Sequence, residues 1–508
     1  MNSATTPTTQ SESTGPFTWL AMSLLSAAAL AIRLWCLVCK PFWFDECFSV
    51  EIARIGWGNF FHLLWWREAN MSLYYLLLRI WLHLGRSPFF IRSLSAVVGA
   101  ATVPVIYWLA KVLYDRRVAL IAAVLFVFNA YDVRYSQEAR SYALFVLLAA
   151  ISSGFLVSWL CNPAPRNRVG YAVFSILAVY AHFYALLLIA AQWIAVRLKG
   201  DADEGISAGL RRMWIAIGIA VLPLLIFVAK TGAGPIKWIQ RPGLGDLLHF
   251  FEHLSGGNRW EMLAVVAIAS GFAIAPSSAK IFKRSQAWDV WRCQFLLIWL
   301  VFPVVLTVVL SFARPVFLAR YMIFCLPPLL ILAAAGIARL RRAWAVGAAV
   351  AAVLLLASQG ILFVYAHDFD NERDSSGAAA TFILDHAQSG DAILFHIAET
   401  RIPYEFFRSL RAGENTASPK YNGQLGPEIL FPSHGPGLDY RDFTGKPTAD
   451  FVRSAVSPHP RVWVMLMNNG PAGNPDPTTT MLTNVLSNEF PRVEKREFPK
   501  VQVLLYSK

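Results

Sequence analysis

Charge is scarce in this chain. Only 15% of its 508 residues are Asp, Glu, Lys or Arg, while 56% are hydrophobic and the mean hydropathy is +0.47. An ordinary soluble domain carries about 25% charged residues. The composition therefore excludes a chain that faces water throughout, and the excess apolar surface has to face lipid. Cysteine is sparse too: the six are Cys36, Cys39, Cys47, Cys161, Cys293 and Cys325, so no disulfide framework can staple the region beyond residue 325. Cys36 and Cys39 have CxxC spacing but stand at the end of an apolar run with no second pair, too little for a metal or redox site. There is no internal repeat, no low-complexity tract and no nucleic-acid motif. The excess of 45 Lys and Arg over 32 Asp and Glu, a net +13, is therefore read as cytoplasmic loop charge and as sites for anionic head groups or phosphates. Residues 1–16 are polar and lack both a positive n-region and a cleavage signal, which argues against a signal peptide. They are expected to be a disordered cytoplasmic tail in front of a retained helix.

About 20 apolar residues cross the hydrocarbon core of a bilayer. By that length, spans are predicted at about 17–39, 88–113, 118–133, 138–160, 169–182, 183–198, 213–229, 261–279, 291–310, 321–338 and 343–365, eleven in all. With the N-terminus in the cytoplasm, Arg116 and Arg117, Arg166 and Arg168, Arg197 to Arg212, Lys280 to Arg284 and Arg339 to Arg342 fall on one side. The segment 70–85, "NMSLYYLLLRIWLHLG", carries Arg79 and His83, and counting it as a span would reverse that order. It is expected to lie in the interface. An odd span count puts the C-terminus outside. From about 366 the sequence turns charged and rich in Pro and Gly. The helical runs "SSGAAATFILDHAQ", "ADFVRSAV" and "TMLTNVLSNEF" alternate there with the strand-like "DAILFHI", "RVWVMLM" and "VQVLLYS". The alternation predicts a soluble α/β domain over 366–508. The expected organisation is a polytopic membrane domain over 17–365, with an outside loop at 40–87, followed by that domain.

Chemistry gathers on the outer side. The first outside loop reads "KPFWFDECFSVEIAR", placing Asp45 and Glu46 beside Phe42, Trp43 and Phe44. Carboxylates among aromatics at a lipid interface are costly unless they have a task or a partner. Asp45 could also serve as the N-cap of a helix starting at Glu46. Neighbours in sequence do not share a face, so the two acids are expected to differ in role. A second cluster, "YDVRYSQEARSYALF" over 131–145, crowds Arg134, Glu138 and Arg140 into a short turn between apolar helices. Arg134 and Glu138 could pair at i,i+4 on a helix surface, whereas Arg140 is left to offer its bidentate fork to phosphate oxygens. Tyr135, Gln137 and Tyr142 can add neutral hydrogen bonds. On the same side stand Arg314, Arg320 and Tyr321, with a snorkelling anchor as the alternative role for the arginines, and His182 and Tyr184 in a very short turn. The loop around Lys237, Trp238 and Arg241 has the composition of a cover that could order over a ligand.

The acid pair, "SLYYLLLRIWLHLG" and the run from "SLSAVVGAA" to "YSQEARSYALF" together resemble the bacterial GT-C glycosyltransferases related to protein O-mannosyltransferases and to the lipid A aminoarabinose transferase. The likeness runs through about residues 20–200 and more weakly, by spans and "ARYMIFCLPPLL", to about 338. Where the family pattern has a Pro pair before "LYYLLL", this chain has Met71 and Ser72. The resemblance implies an inverting transfer of a sugar from a polyprenyl-phosphate donor, on the periplasmic face of a bacterial inner membrane, to a lipid, glycan or protein acceptor. It implies Asp45 as base; the reading of the residues adds Glu46 beside it, donor phosphate on Arg140, Arg320, Tyr321 and Arg134, and a substrate pocket of Tyr135, Gln137, Glu138, Tyr142, His182, Tyr184 and Lys237. Mannose, another hexose or an amino-pentose all fit, on a protein, lipid A or a polysaccharide. Relatives differ in metal use: a divalent cation is possible, but no set of oxygen ligands demands one. No nucleic-acid partner is expected. The competing class is a transporter or flippase of lipid-linked sugars, which would show midplane polar residues and duplicated halves. The topology is tested by fusing a reporter active only in the cytoplasm after Lys508. The reporter is expected to be silent, and a strong signal would reverse the side assigned to the chemistry.

Overall fold

The computed structural model describes residues 15–199, 204–232, 239–257, 260–280, 287–367, 375–413, 425–435, 437–467 and 475–508. They fall into two compact units. One comprises the chain up to Leu37, Asn70–Tyr74 and Arg92–His367. The other comprises Val38–Ala69, Tyr75–Ile91 and Asp368–Lys508.

The helices in chain order are α1 (Pro16–Leu34), α2 (Phe44–Arg54), α3 (Trp57–Trp66), α4 (Ser72–Trp81), α5 (Pro88–Leu113), α6 (Arg116–Val127), α7 (Ala130–Ser136), α8 (Tyr142–Cys161), α9 (Pro165–Ala181), α10 (Ala185–Leu198), α11 (Glu204–Thr231), α12 (Leu244–Leu254), α13 (Trp260–Ile274), α14 (Trp288–Ala313), α15 (Leu326–Ala338) and α16 (Ala343–Ala366). Each of the eleven predicted spans coincides with helix. Among the described residues, eight helices are long and apolar enough to cross a membrane, nine if the bent pair α6–α7 counts as one span. The other two predicted spans, α9 and α10, have 17 and 14 residues.

Several polar groups buried in this unit find partners within it. Gln192 donates to Ser153 Oγ at 3.1 Å and accepts from the Tyr171 hydroxyl, which in turn accepts from the Trp214 indole, so α8, α9, α10 and α11 are laced together. At Gly336 an added Cβ would lie 1.7 Å from the Ala269 carbonyl oxygen, so α13 and α15 approach as closely as only glycine permits. The bend of 57° between α6 and α7 falls at Asn129, whose side chain accepts from Asp132 N at 3.0 Å and donates to Leu254 O at 3.1 Å. Arg33 of α1 closes the break. Its guanidinium meets Asp132 Oδ2 at 2.6 Å and also donates to the Val127 and Phe126 carbonyls at the end of α6.

After α1 the chain turns sharply. Cys36 takes a left-handed φ of 53° and is disulfide-bonded to Cys39, a pairing that the spacing alone did not announce. A disulfide belongs to an oxidising compartment. Cys47, Cys161, Cys293 and Cys325 are not part of a disulfide.

The second unit is built on a five-stranded sheet. Its elements are α17 (Ser376–His386), β1 (Ala392–His396), α18 (Arg401–Arg411), β2 (Glu428–Phe431), α19 (Ala449–Val456), β3 (Arg461–Met467), α20 (Pro477–Glu489), β4 (Arg492–Phe498) and β5 (Val501–Ser507). The strand order is β2-β1-β3-β5-β4, with β2, β1 and β3 parallel and β5 and β4 antiparallel. One face buries Leu394, Val462 and Val464 under α19 and α20, and the other buries Phe395, Trp463 and Met465 under α17. Val38–Ala69 and Tyr75–Ile91 belong to this body. Phe42 stacks on Phe406 of α18 at 4.8 Å, Phe48 meets Phe443 edge-on at 5.4 Å, and Arg54 donates to Ser409 Oγ at 2.8 Å.

Removing the carboxylate of Asp132 strands the buried charge of Arg33. Asp132→Ala is expected to destabilise the protein by about 3–5 kcal/mol, read as a fall in the melting temperature of the detergent-solubilised chain. Joint replacement, Arg33→Met with Asp132→Leu, should recover much of that loss. A single Asp132→Ala protein as stable as the native one would contradict the role given to this pair.

Candidate active site

α2 begins at Phe44, behind Trp43 in extended conformation, and its N-cap makes no side-chain hydrogen bond. Asp45 is thus inside the first turn, not the N-cap that the sequence offered as its alternative role. Both acids stand where the helix dipole favours negative charge, but in different surroundings. Asp45 is half-buried and its carbonyl accepts from Ser49 Oγ at 3.0 Å, while the Glu46 side chain is fully buried. One turn on, Glu51 holds Arg54 at 2.7 Å. All of these residues belong to the unit that contains 368–508.

The remaining candidates that fall on described residues lie in the other unit, where four separate elements bring them together. α7 ends at Ser136, so Arg134 is helical and Glu138 is in the following turn; both are buried, so they do not share the exposed helix face that the spacing allowed. Gln137 Nε2 donates to the Arg33 and Trp35 carbonyls at 3.1 and 2.8 Å, which closes the C-terminus of α1 and fixes the turn. Arg140, also buried, has its carbonyl held by Ser95 Oγ at 3.3 Å. From that turn a row of aromatic rings continues: Tyr131 to Tyr135 at 4.9 Å, Tyr135 to Tyr142 at 5.0 Å, and Tyr142 to Tyr321 at 6.5 Å and to His182 at 6.4 Å. Tyr184 and Tyr321 are 5.2 Å apart, and His182 lies 4.7 Å from Tyr321. Arg134 stands over the Tyr135 ring at 5.1 Å and Arg320 near the Tyr321 ring at 5.9 Å. Arg320 and Tyr321 belong to a 3-10 segment, Ala319–Cys325, and Arg320 is buried while Arg314 is exposed. The snorkelling alternative thus fits Arg314 and not Arg320. Lys237 lies outside the described residues.

The departure at the start of α4 has a structural counterpart. Met71 has a φ of 64°, a conformation closed to proline, whose ring holds φ near about −65°. Asn70 Oδ1 accepts from Phe183 N at 3.0 Å, and Ser72 Oγ donates to Tyr180 O at 3.3 Å, so this segment pins the α9–α10 turn that carries His182 and Tyr184. Sequence reasoning overlooked Arg33, Asp132 and Arg92, the last donating to Leu37 O at 2.8 Å. The signal was available: an ionisable residue inside an apolar run demands a buried partner. Among the described residues, no group of three or more His, Cys, Asp or Glu is placed to hold a metal ion.

This geometry can bind an anion with guanidinium forks and phenols in a desolvated setting, where charge-assisted hydrogen bonds are strong. No family model matches the sequence, and no curated protein matches it. Solved structures do. ArnT from Cupriavidus metallidurans in the apo state is similar with a TM-score of 0.61 at 11% identity, over 96% of this chain and 98% of that one. The same protein bound to undecaprenyl phosphate gives 0.57 at 13% identity, over 97% and 98%. The arabinofuranosyltransferase AftD from Mycobacteria gives 0.52 at 14% identity, over 96% of this chain and 40% of that one. The chain is thus a polytopic membrane protein with the GT-C glycosyltransferase fold and a C-terminal α/β domain.

Proposed function

We propose that this protein is an integral membrane glycosyltransferase that moves a sugar from a polyprenyl-phosphate donor to a hydroxyl or phosphate acceptor of the cell envelope, with inversion at the anomeric carbon. One observation carries the reading: the buried Arg140, Arg320, His182, Tyr135 and Tyr142 converge with the half-buried Tyr184 and Tyr321 from four separate elements of a chain with this fold. Packing alone does not require such a density of charge and phenol. In support, the similar ArnT structure holds undecaprenyl phosphate.

In the reaction, an acceptor oxygen attacks the anomeric carbon and the bond from that carbon to the phosphate oxygen breaks, its electron pair leaving with the polyprenyl phosphate. A carboxylate takes the acceptor proton as the new bond forms, and positive groups stabilise the departing phosphate. Asp45 is assigned the first task, being the half-buried acid of the pair, and Glu46 an auxiliary one. Arg140, with Arg320 and Tyr321, is assigned the second, and Arg134, Tyr135, Gln137, Glu138 and Tyr142 complete the donor side. The outer face of a bacterial inner membrane is the proposed location, with residues 366–508 in the periplasm. The cationic loops gather on the opposite side, and the Cys36–Cys39 disulfide suits an oxidising compartment. An amino-pentose or a hexose such as mannose is the proposed sugar, and protein, lipid A and polysaccharide are the acceptor classes to test.

Asp45→Asn keeps the shape but cannot take the proton. Its turnover is expected to fall about a hundred-fold or more with donor binding largely retained, whereas Glu46→Gln should cost less. A dead Glu46→Gln enzyme beside an active Asp45→Asn one would exchange their roles, and two active variants would remove the acids from the mechanism. For the clamp, Arg140→Lys keeps the charge and loses the fork, so activity should drop on the order of ten-fold or more. Arg134→Lys should be milder, and equal effects would mean that the wrong arginine has been assigned.

A further inference from the structure

His182 is a polar side chain set deep among aromatics for which packing gives no reason. It follows α9 directly, its ring is fully buried and lies flat on Phe145 at 5.1 Å, and Tyr184 and Tyr321 meet it edge-on. Its tautomer is set by the backbone. Nδ1 accepts from Tyr184 N at 3.2 Å, so that nitrogen bears no proton, and a neutral ring must carry its proton on Nε2. Nε2 is buried and meets no acceptor in the protein. Arg140 and Arg320 are close enough for their charges to act on the ring, and two guanidiniums draw an anion in. The position is also held firmly. The Tyr184 hydroxyl donates to Val316 O, in the segment leading to Arg320, and Asn70 accepts from Phe183 N.

We propose that His182 Nε2–H is a donor waiting for an acceptor supplied by the ligand, and that this acceptor is a phosphate oxygen of the lipid carrier bound between Arg140 and Arg320. The proposal rests on the reading of this cluster as the donor's phosphate site and adds a neutral, directional contact to its two cations. Two guanidiniums attract any anion. A fixed N–H donor selects one whose oxygen lies along its axis, which separates a phosphate ester held in one orientation from a freely turning ion.

The test is binding of undecaprenyl phosphate to the full-length protein in nanodiscs, with inorganic phosphate as competitor and with melting temperature recorded for each variant. His182→Phe keeps the stack on Phe145 and loses the donor. His182→Gln loses the stack but places an amide N–H near the position of Nε2. The proposal expects His182→Phe to bind on the order of ten-fold more weakly than the native protein, with His182→Gln recovering several-fold of that loss although its ring is gone. A purely structural histidine predicts the reverse order, Phe tolerated and Gln worse, and that result would overturn the proposal, as would equal losses in both variants at unchanged melting temperature. Native-like binding by His182→Phe, with Arg320→Ala still weakened, would remove His182 alone and leave the phosphate site standing. No binding of undecaprenyl phosphate by the native protein, or displacement by equimolar inorganic phosphate, would overturn the lipid-phosphate reading together with this proposal.

Discussion

The ion pair between Arg33 and Asp132 is what the rest of the membrane unit depends on. Two charges in an apolar interior persist only if each satisfies the other, and here they join α1 to α7 at 2.6 Å. The same guanidinium reaches the carbonyls of Val127 and Phe126 where α6 breaks. Away from water, irregular backbone is tolerated only when its polar groups are met inside the protein, so the bend between α6 and α7 exists because Arg33 and Asn129 satisfy it. Gln137 then returns the favour to α1 by donating to its last carbonyls. The turn over 137–141 is held from both ends, and Arg140 is carried on it.

That arrangement explains which parts of the molecule were legible from the sequence. The eleven apolar runs all proved helical because length and hydropathy are local properties that any packing preserves. The short ones, α6 with α7, α9 and α10, depend on neighbours to bury their ends, and a window along the chain does not register neighbours. In the second unit, β1, β3 and β5 were readable as apolar runs. β4, "RVEKREF", was not, since an edge strand carrying charge is how a sheet protects its open side. α18 escaped for a related reason: its sequence "RIPYEFFRSLR" has no apolar run, and its charges are spent on the buried pairs of Arg401 and Arg408 with Glu405 and of Arg401 with Asp442.

The candidate residues show the same divide. The arginines, tyrosines and His182 could be picked out singly because charge and phenol at the ends of apolar helices are conspicuous. Their convergence is a product of long-range packing and could not be read from spacing. Nor could the packing of α2 onto α18 through Phe42, Phe406, Arg54 and Ser409, which fastens the acid-bearing helix to the soluble domain. The capping role offered for Asp45 failed because the helix begins two residues earlier than its sequence suggests, which puts Asp45 inside the first turn.

The central claim is that the bond between sugar and carrier phosphate is broken by this protein. It is tested most directly by placing the purified full-length chain in liposomes with a polyprenyl-phosphate sugar, radiolabelled in the sugar, and envelope extract as the source of acceptor. The account predicts that label leaves the lipid and appears on acceptor material while unlabelled polyprenyl phosphate accumulates in step. Label that crosses the bilayer still attached to its lipid, with no polyprenyl phosphate released, would contradict it and identify a transporter.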